Sequence, residues 1–419
     1  MRSQASLATR AGSPVILVTG DTRPRDGYHL IMRGLFRELS VTIRLPSSLA
    51  PEHWGEISRA GWMMSGRLTK KVSAVMAGSL AVLATAALTA AGPATAQAGQ
   101  GPVVEVPVTF SVKNTNHTLV ACQSDGKDYT VRGHIVAPRS ALEHPTAVTL
   151  YLHAVTWGEY YFNFKGVADY DFATQLAERG HTSVIVDRLG YGVSDRPPGE
   201  ATCFGSEADV AHQMVQALRN GGYHAGSHPP VKFSKVNIGG SSVGGLTSHI
   251  EAYTFKDVDA VINMSWGDFA ATPFTVQELA DVLGRCARGG DQGAPTNYAA
   301  FFKNSRDKFY FNSAAPDVRA AVPPLHPDPC GQLQSIPAAI AADVALLGTI
   351  DVPVQVIFGD ADAVFGPQPL AANQQAARYT GSPKVTTTII PAASHYPLIE
   401  ANHLQAVNGV DRFLTENGS

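Results

Sequence analysis

Val236–His249 reads VNIGGSSVGGLTSH: a short apolar run, two adjacent serines, and a pair of glycines on either side. Serine and glycine together are common in plain loops. A glycine-rich turn between strand and helix also cradles phosphate, but that use asks for a following Lys or for three glycines in G-x-G-x-x-G order, and neither is present. The pattern that remains is G-x-S-x-G, a sharp strand-to-helix turn that holds a serine in a strained, exposed position. Small residues are needed two before and two after the serine, because the turn presses those backbones together. Centred on Ser241, the pattern puts Val243 where the second glycine must be. Centred on Ser242, it finds Gly240 and Gly244, with Gly245 allowing close helix packing. Ser242 is therefore the candidate nucleophile.

Strands and helices alternate around this turn. VEVPVTFSV and YTVRGHIVAP read as an opening antiparallel pair. The β-branched runs at 147–153, 182–187, 235–240, 259–264, 352–358 and 385–390 read as buried strands of a parallel sheet. Helical patterns fall between them, such as 206–220, which Ser206 would cap with Glu207 and Asp209 in its first turn. The stretch HLQAVNGVDRFLTEN closes the chain as a helix. Such alternation means an α/β domain with helices on both faces of the sheet. Residues from about 266 to 350 break the rhythm with helical patches, a helical face bearing Tyr298, Phe301 and Phe302, and the Pro-rich run VPPLHPDPCG. An insertion at the carboxyl ends of the strands is placed to cover a site there, and it is expected to be a helical lid.

A serine nucleophile needs a base, an orienting acid and two N–H donors. On this kind of turn the chain order is Ser, acid, His. The strand at 352–358 runs into GDADAVFGP and the strand at 385–390 into PAASHYPLIE, both at the edge of the sheet that bears the serine. His395 sits after the last strand and before the last helix, where the base belongs; His403 begins that helix and reads as surface. Asp360 and Asp362 both stand where the acid must be.

These segments resemble the α/β-hydrolase superfamily from about Val103 to Asn417, the lid apart. In that family the acid lies three residues after the glycine ending its strand, with a Pro a few residues on; Gly359, Asp362 and Pro367 match, so the resemblance selects Asp362. DRLGYGVSDRP (Asp187–Pro197) is similar to the family's D-x-x-G-x-G-x-S loop. YLHAVTWG (Tyr151–Gly158) resembles its H-G-x-x loop. The resemblance implies backbone N–H donors at Val155 and Val243, and an α/β-hydrolase fold with a mostly parallel sheet, helices on both faces and a helical lid inserted after strand 6. Ala154, Ser241 and Ser394 stand where the family more often has Gly, His and Gly. Trp157 beside the oxyanion loop and Ser241 beside the nucleophile are expected to touch substrate.

Residues 63–98 carry Lys70 and Lys71, an Ala-rich apolar run and A-x-A spacing at 94–96 or 96–98, the marks of a cleavable signal peptide. The Arg-rich residues 1–62 before it, without sustained periodicity, are expected to be a leader that arises from a start assigned too early, with translation beginning at Met63 or Met64. The remaining 99–419 holds 21 basic and 30 acidic residues, a net charge of −9 that disfavours nucleic acid and anionic membranes. Its four cysteines suit an oxidising, extracellular compartment. Cys286 and Cys330 both fall in the lid, where a crosslink would hold helices that share little of the main core; Cys203 is placed to reach the opening strands near Cys122.

No C-x-x-C or H-E-x-x-H occurs, so neither metal nor cofactor is implied. The expected partner is a small, apolar ester or lactone, with no stable membrane insertion once the signal is removed. Two other readings stand beside ester hydrolysis. A proline-iminopeptidase-like aminopeptidase would need lid acids such as Glu278, Asp281 or Asp291. A non-catalytic binding protein on the same fold would differ by its lack of activity.

Overall fold

The structure is a computed structural model; it describes residues 101–417 and, nearer the N-terminus, three short strands. Those three strands, Val15–Thr19, Tyr28–Arg33 and Leu39–Ile43, form an antiparallel sheet with Val15 opposite Arg33 and Tyr28 opposite Ile43. The expectation of a leader without periodicity missed them, although VILVT and LSVTI are β-branched runs. The expected signal peptide, 63–98, lies outside the described residues.

Eight strands make the main sheet: β1 (Val103–Lys113), β2 (Asp128–Pro138), β3 (Ala147–Leu152), β4 (Ser183–Asp187), β5 (Lys235–Ser241), β6 (Val261–Met264), β7 (Val354–Gly359) and β8 (Val385–Ile390). Their spatial order is β8-β7-β6-β5-β3-β4-β2-β1. β1 pairs antiparallel with β2, and β2 antiparallel with β4; every other pair is parallel. Sequence pattern explains the placement. The edge strand β1 alternates, burying Val106, Val108, Phe110 and Val112 on one face, whereas β5 and β7 are buried almost end to end.

Helix α1 is Phe172–Glu178, α2 is Phe204–Asn220, α3 is Val243–Phe255, α4 is Pro273–Cys286, α5 is Ile336–Leu346, α6 is Leu370–Ala376 and α7 is His403–Glu416. α3 packs on β5 and β6 with α2 and α5 beside it, while α1 and α7 pack on each other. Helix α2 starts two residues before the expected cap. Ser206 lies inside its first turn, where its hydroxyl accepts from Cys203 N–H at 3.1 Å. Glu207 is buried against Arg188 at 2.6 Å instead of meeting solvent.

The 266–350 segment divides into two parts. Its outer part holds α4, short helices at 306–310, 316–321 and 330–334, and a two-stranded bridge pairing Tyr298 with Pro329. Its last helix, α5, belongs to the layer against α3, where His249 Nδ1 meets Asp343 Oδ2 at 2.8 Å. The helical face expected for Tyr298, Phe301 and Phe302 does not form. Asn297 and Phe302 both take positive φ, 62° and 54°, and Tyr298 is paired in the bridge. Disulfides join Cys122 to Cys203 and Cys286 to Cys330.

Candidate active site

Three loops converge at the carboxyl ends of β5, β7 and β8, the edge of a parallel sheet where ligands bind. Ser242 follows β5 and precedes α3 with φ 55° and ψ −121°, a conformation that costs a non-glycine residue about 1–3 kcal/mol. Its N–H donates to Met264 O at 2.7 Å, which anchors the turn to β6. The flanking glycines are needed for space. A Cβ on Gly240 would run into the Gly244 carbonyl, and one on Gly244 into the Leu152 carbonyl. Ser241, one residue earlier, is fully buried.

Asp362 lies in the loop after β7. Its Oδ1 accepts from the N–H groups of Val364 at 2.7 Å and Phe365 at 3.2 Å, so the loop itself aims the carboxylate. His395, in the loop after β8, meets Asp362 through Nδ1 at 2.9 Å and 3.1 Å. Both side chains are fully buried, and Nε2 of His395 has no hydrogen-bond partner. Phe309 stacks on the imidazole with ring centres 5.1 Å apart. Ser394, where glycine is commoner, donates to Tyr310 O at 2.6 Å and so ties the histidine loop to the outer segment. Asp360 is exposed. His403, expected at the surface, is buried instead: its ring stacks on Tyr170 and its nitrogens meet Glu400 O and Asp169 O.

The loop after β3 carries Val155. His153 fixes its start: Nε2 accepts from Arg188 N–H at 3.0 Å, so the proton sits on Nδ1 and is donated to Ala154 O at 2.8 Å. Burial first, then the Arg188 charge, holds this imidazole well below its ordinary range, in the neutral form. Ala154 needs no left-handed backbone, because Thr156 takes the positive φ of 61°. Among the described residues the N–H groups of Val155 and Val243 have no protein acceptor. Asp187 braces the far end, accepting from Glu159 N–H at 2.9 Å and Val193 N–H at 2.8 Å.

Above Ser242 lies a cavity of about 80 Å³ lined by Val155, Val243, Trp266, Phe301, Phe302 and Phe365, among others. Val276, 56 % exposed, marks its mouth on α4. Phe365 also links it to His395, 5.7 Å from the imidazole centre. A larger groove of about 420 Å³ against β1 is lined by Glu105, Arg139 and His228 and holds none of these residues. Neither expected substrate contact faces the cavity. Ser241 points into the core beside Tyr161, and Trp157 is stacked on Tyr310 within an aromatic cluster.

Two acids that sequence reasoning passed over matter here. Asp328 is buried and accepts from Thr156 N–H at 2.7 Å, Tyr191 OH at 2.8 Å and Phe301 N–H at 2.9 Å. It thereby joins the Val155 loop to the outer segment. Burial pushes its carboxyl up to about 6. Asp268 lines the cavity, bound by Trp266 Nε1 at 2.9 Å and Gln375 Nε2 at 3.2 Å. Burial, then the nearby Asp343 carboxylate, pushes it up to about 7. A lone Asp between prolines was the available signal for Asp328; Asp268 had none.

A family model described as the Alpha/beta hydrolase family matches residues 150–408. Among solved structures, a thermophilic esterase from Thermogutta terrifontis is 17% identical with a TM-score of 0.53, covering 74% of this chain and 100% of its own. A monoacylglycerol lipase from Paleococcus ferrophilus is also 17% identical, with a TM-score of 0.48, covering 64% of this chain and 94% of its own. At that identity the esterase likeness is one of fold. No curated protein matches the sequence.

Proposed function

The chain belongs to the alpha/beta hydrolase family, and on that premise we propose that it is an exported serine hydrolase that cleaves small apolar carboxylic esters or lactones. The observation that carries the reading is the division of labour on His395, whose Nδ1 is bound to Asp362 while Nε2 has no partner. Bound in that way, the neutral ring carries its proton on Nδ1 and offers Nε2 as the base.

Ser242 Oγ attacks the ester carbonyl carbon as its proton passes to Nε2 of His395. The carbonyl oxygen becomes an oxyanion held by the N–H groups of Val155 and Val243, donors worth several kcal/mol at the transition state. Collapse breaks the carbon–oxygen bond, and the alcohol leaves with the proton from His395. Water, deprotonated by the same imidazole, then attacks the acyl-enzyme and releases the acid. The Asp362 carboxylate orients and stabilises the imidazolium. The apolar lining and small volume of the cavity favour short apolar acyl groups.

The aminopeptidase reading loses two of its three candidate acids. Arg285 holds Asp291 at 2.7 Å and Asp281 at 3.1 Å. Export is supported by the signal-like 63–98 stretch and by the two disulfides. The deciding experiment is a panel of chromogenic esters of graded chain length run beside amino-acid amides. Short esters are expected to be hydrolysed; turnover of amides alone, or of neither panel, would overturn the proposal.

A further inference from the structure

Away from the Ser242 site, α2 and α3 lie side by side and bring three ligand-type side chains together. His212 comes from α2, Glu251 from α3, and Asp257 from the turn just after α3. One ligand atom from each lies within 4.8 Å of the others. Glu251 is fully buried, and neither of its carboxylate oxygens has a hydrogen-bond donor. A carboxylate so placed is costly unless something positive reaches it. His212 and Asp257 are partly exposed and lie above it, which leaves an entry path.

His212 approaches both carboxylates closely without a hydrogen bond to either. His212 Nδ1 stands 2.9 Å from Asp257 Oδ2 and 3.9 Å from Glu251 Oε1, yet it lacks hydrogen-bond alignment to either. Those separations bracket the spacing of about 3.4 Å between ligands that each sit about 2.1 Å from a tetrahedral ion. The ring is held in place by stacking on Phe255, 4.0 Å away and 12° from parallel. Gln216 Nε2 donates to Asp257 Oδ2, orienting that carboxylate from outside. This is the supporting hydrogen bond that metal sites place behind a ligand.

We propose that His212, Glu251 and Asp257 bind one divalent transition-metal ion of the zinc type through an imidazole nitrogen and two carboxylates, with water in the remaining position. An imidazole ligand selects zinc and its neighbours over calcium or magnesium. The charged and titratable groups facing Glu251 are Asp257, Arg219 and His212. The ion would pin α2 to α3, the helix that Ser242 begins.

The test is calorimetric titration of zinc chloride into the EDTA-stripped full-length chain. One zinc per chain is expected. Glu251→Gln and His212→Asn should each weaken binding by at least about tenfold, with the metal-free circular dichroism spectrum unchanged. X-ray absorption of the wild-type zinc complex should find one imidazole among oxygen ligands, a readout that stands even where a variant fails to fold. Absence of stoichiometric zinc, affinity unmoved by both substitutions, or a shell of sulfur or several imidazoles would overturn the proposal.

Discussion

Ser242 and Ser241 are neighbours in sequence with opposite surroundings, which makes the pair a sharp test. Ser242→Ala should abolish covalent labelling by a fluorophosphonate probe and lower kcat by roughly 10⁴-fold or more. Ser241→Ala, whose hydroxyl is buried beside Tyr161, should still label; the reverse pattern would reassign the nucleophile. Asp268 supplies a second test, of pH. Its folded carboxyl sits at about 7 against an ordinary 3.8, so between those values the folded state holds more protons than the unfolded. Stability contributed by this group is therefore full at low pH and falls as pH rises toward 7. Asp268→Asn cannot ionise and should lose that slope, gaining on wild type by an amount on the order of a few kcal/mol between about pH 4 and about pH 8. Urea melts at both ends of the range measure it; parallel curves would show that Asp268 does not titrate there.

At the scale of elements, Asp328 is the joint to break. Asp328→Ala would strand the buried N–H groups of Thr156 and Phe301, at about 1–3 kcal/mol each, and loosen the loop bearing Val155. kcat should fall roughly tenfold or more with a smaller change in KM, and the melting temperature should drop; an unchanged kcat would detach Asp328 from the proposed oxyanion loop. Such joints mark where sequence reading stopped. All eight sheet strands were legible because a buried strand writes its neighbourhood as β-branched runs, and the loops that bear Ser242, Asp362 and His395 were legible because each follows such a run; the choice of Asp362 over Asp360 came from the family resemblance. The outer segment was not. Tyr298, Phe301 and Phe302 stand at helical spacing, but the positive φ of Asn297 and Phe302 and the long-range bond from Phe301 to Asp328 decide their conformation. Spacing likewise could not tell that α5 lies in the layer beside α3, or that Trp157 turns into an aromatic stack rather than toward the cavity.

For the molecule as a whole, the two disulfides are consistent with an extracellular protein, and the proposed signal peptide can be tested directly. N-terminal sequencing of the secreted chain should find a start near Gln97 or Gly99, and a mature chain beginning upstream of Met63 would refute the proposed leader and signal. Asp328 carries one further consequence. A single carboxylate grips Thr156 in the loop after β3 and Phe301 in the outer segment, so the two work as an interlock: swinging that segment away would also disturb the proposed oxyanion site. The expected route for substrate is then the side mouth at Val276, with the outer segment in place. Progress curves on dissolved esters should start at full rate with no lag, and adding an oil–water interface should not raise that rate.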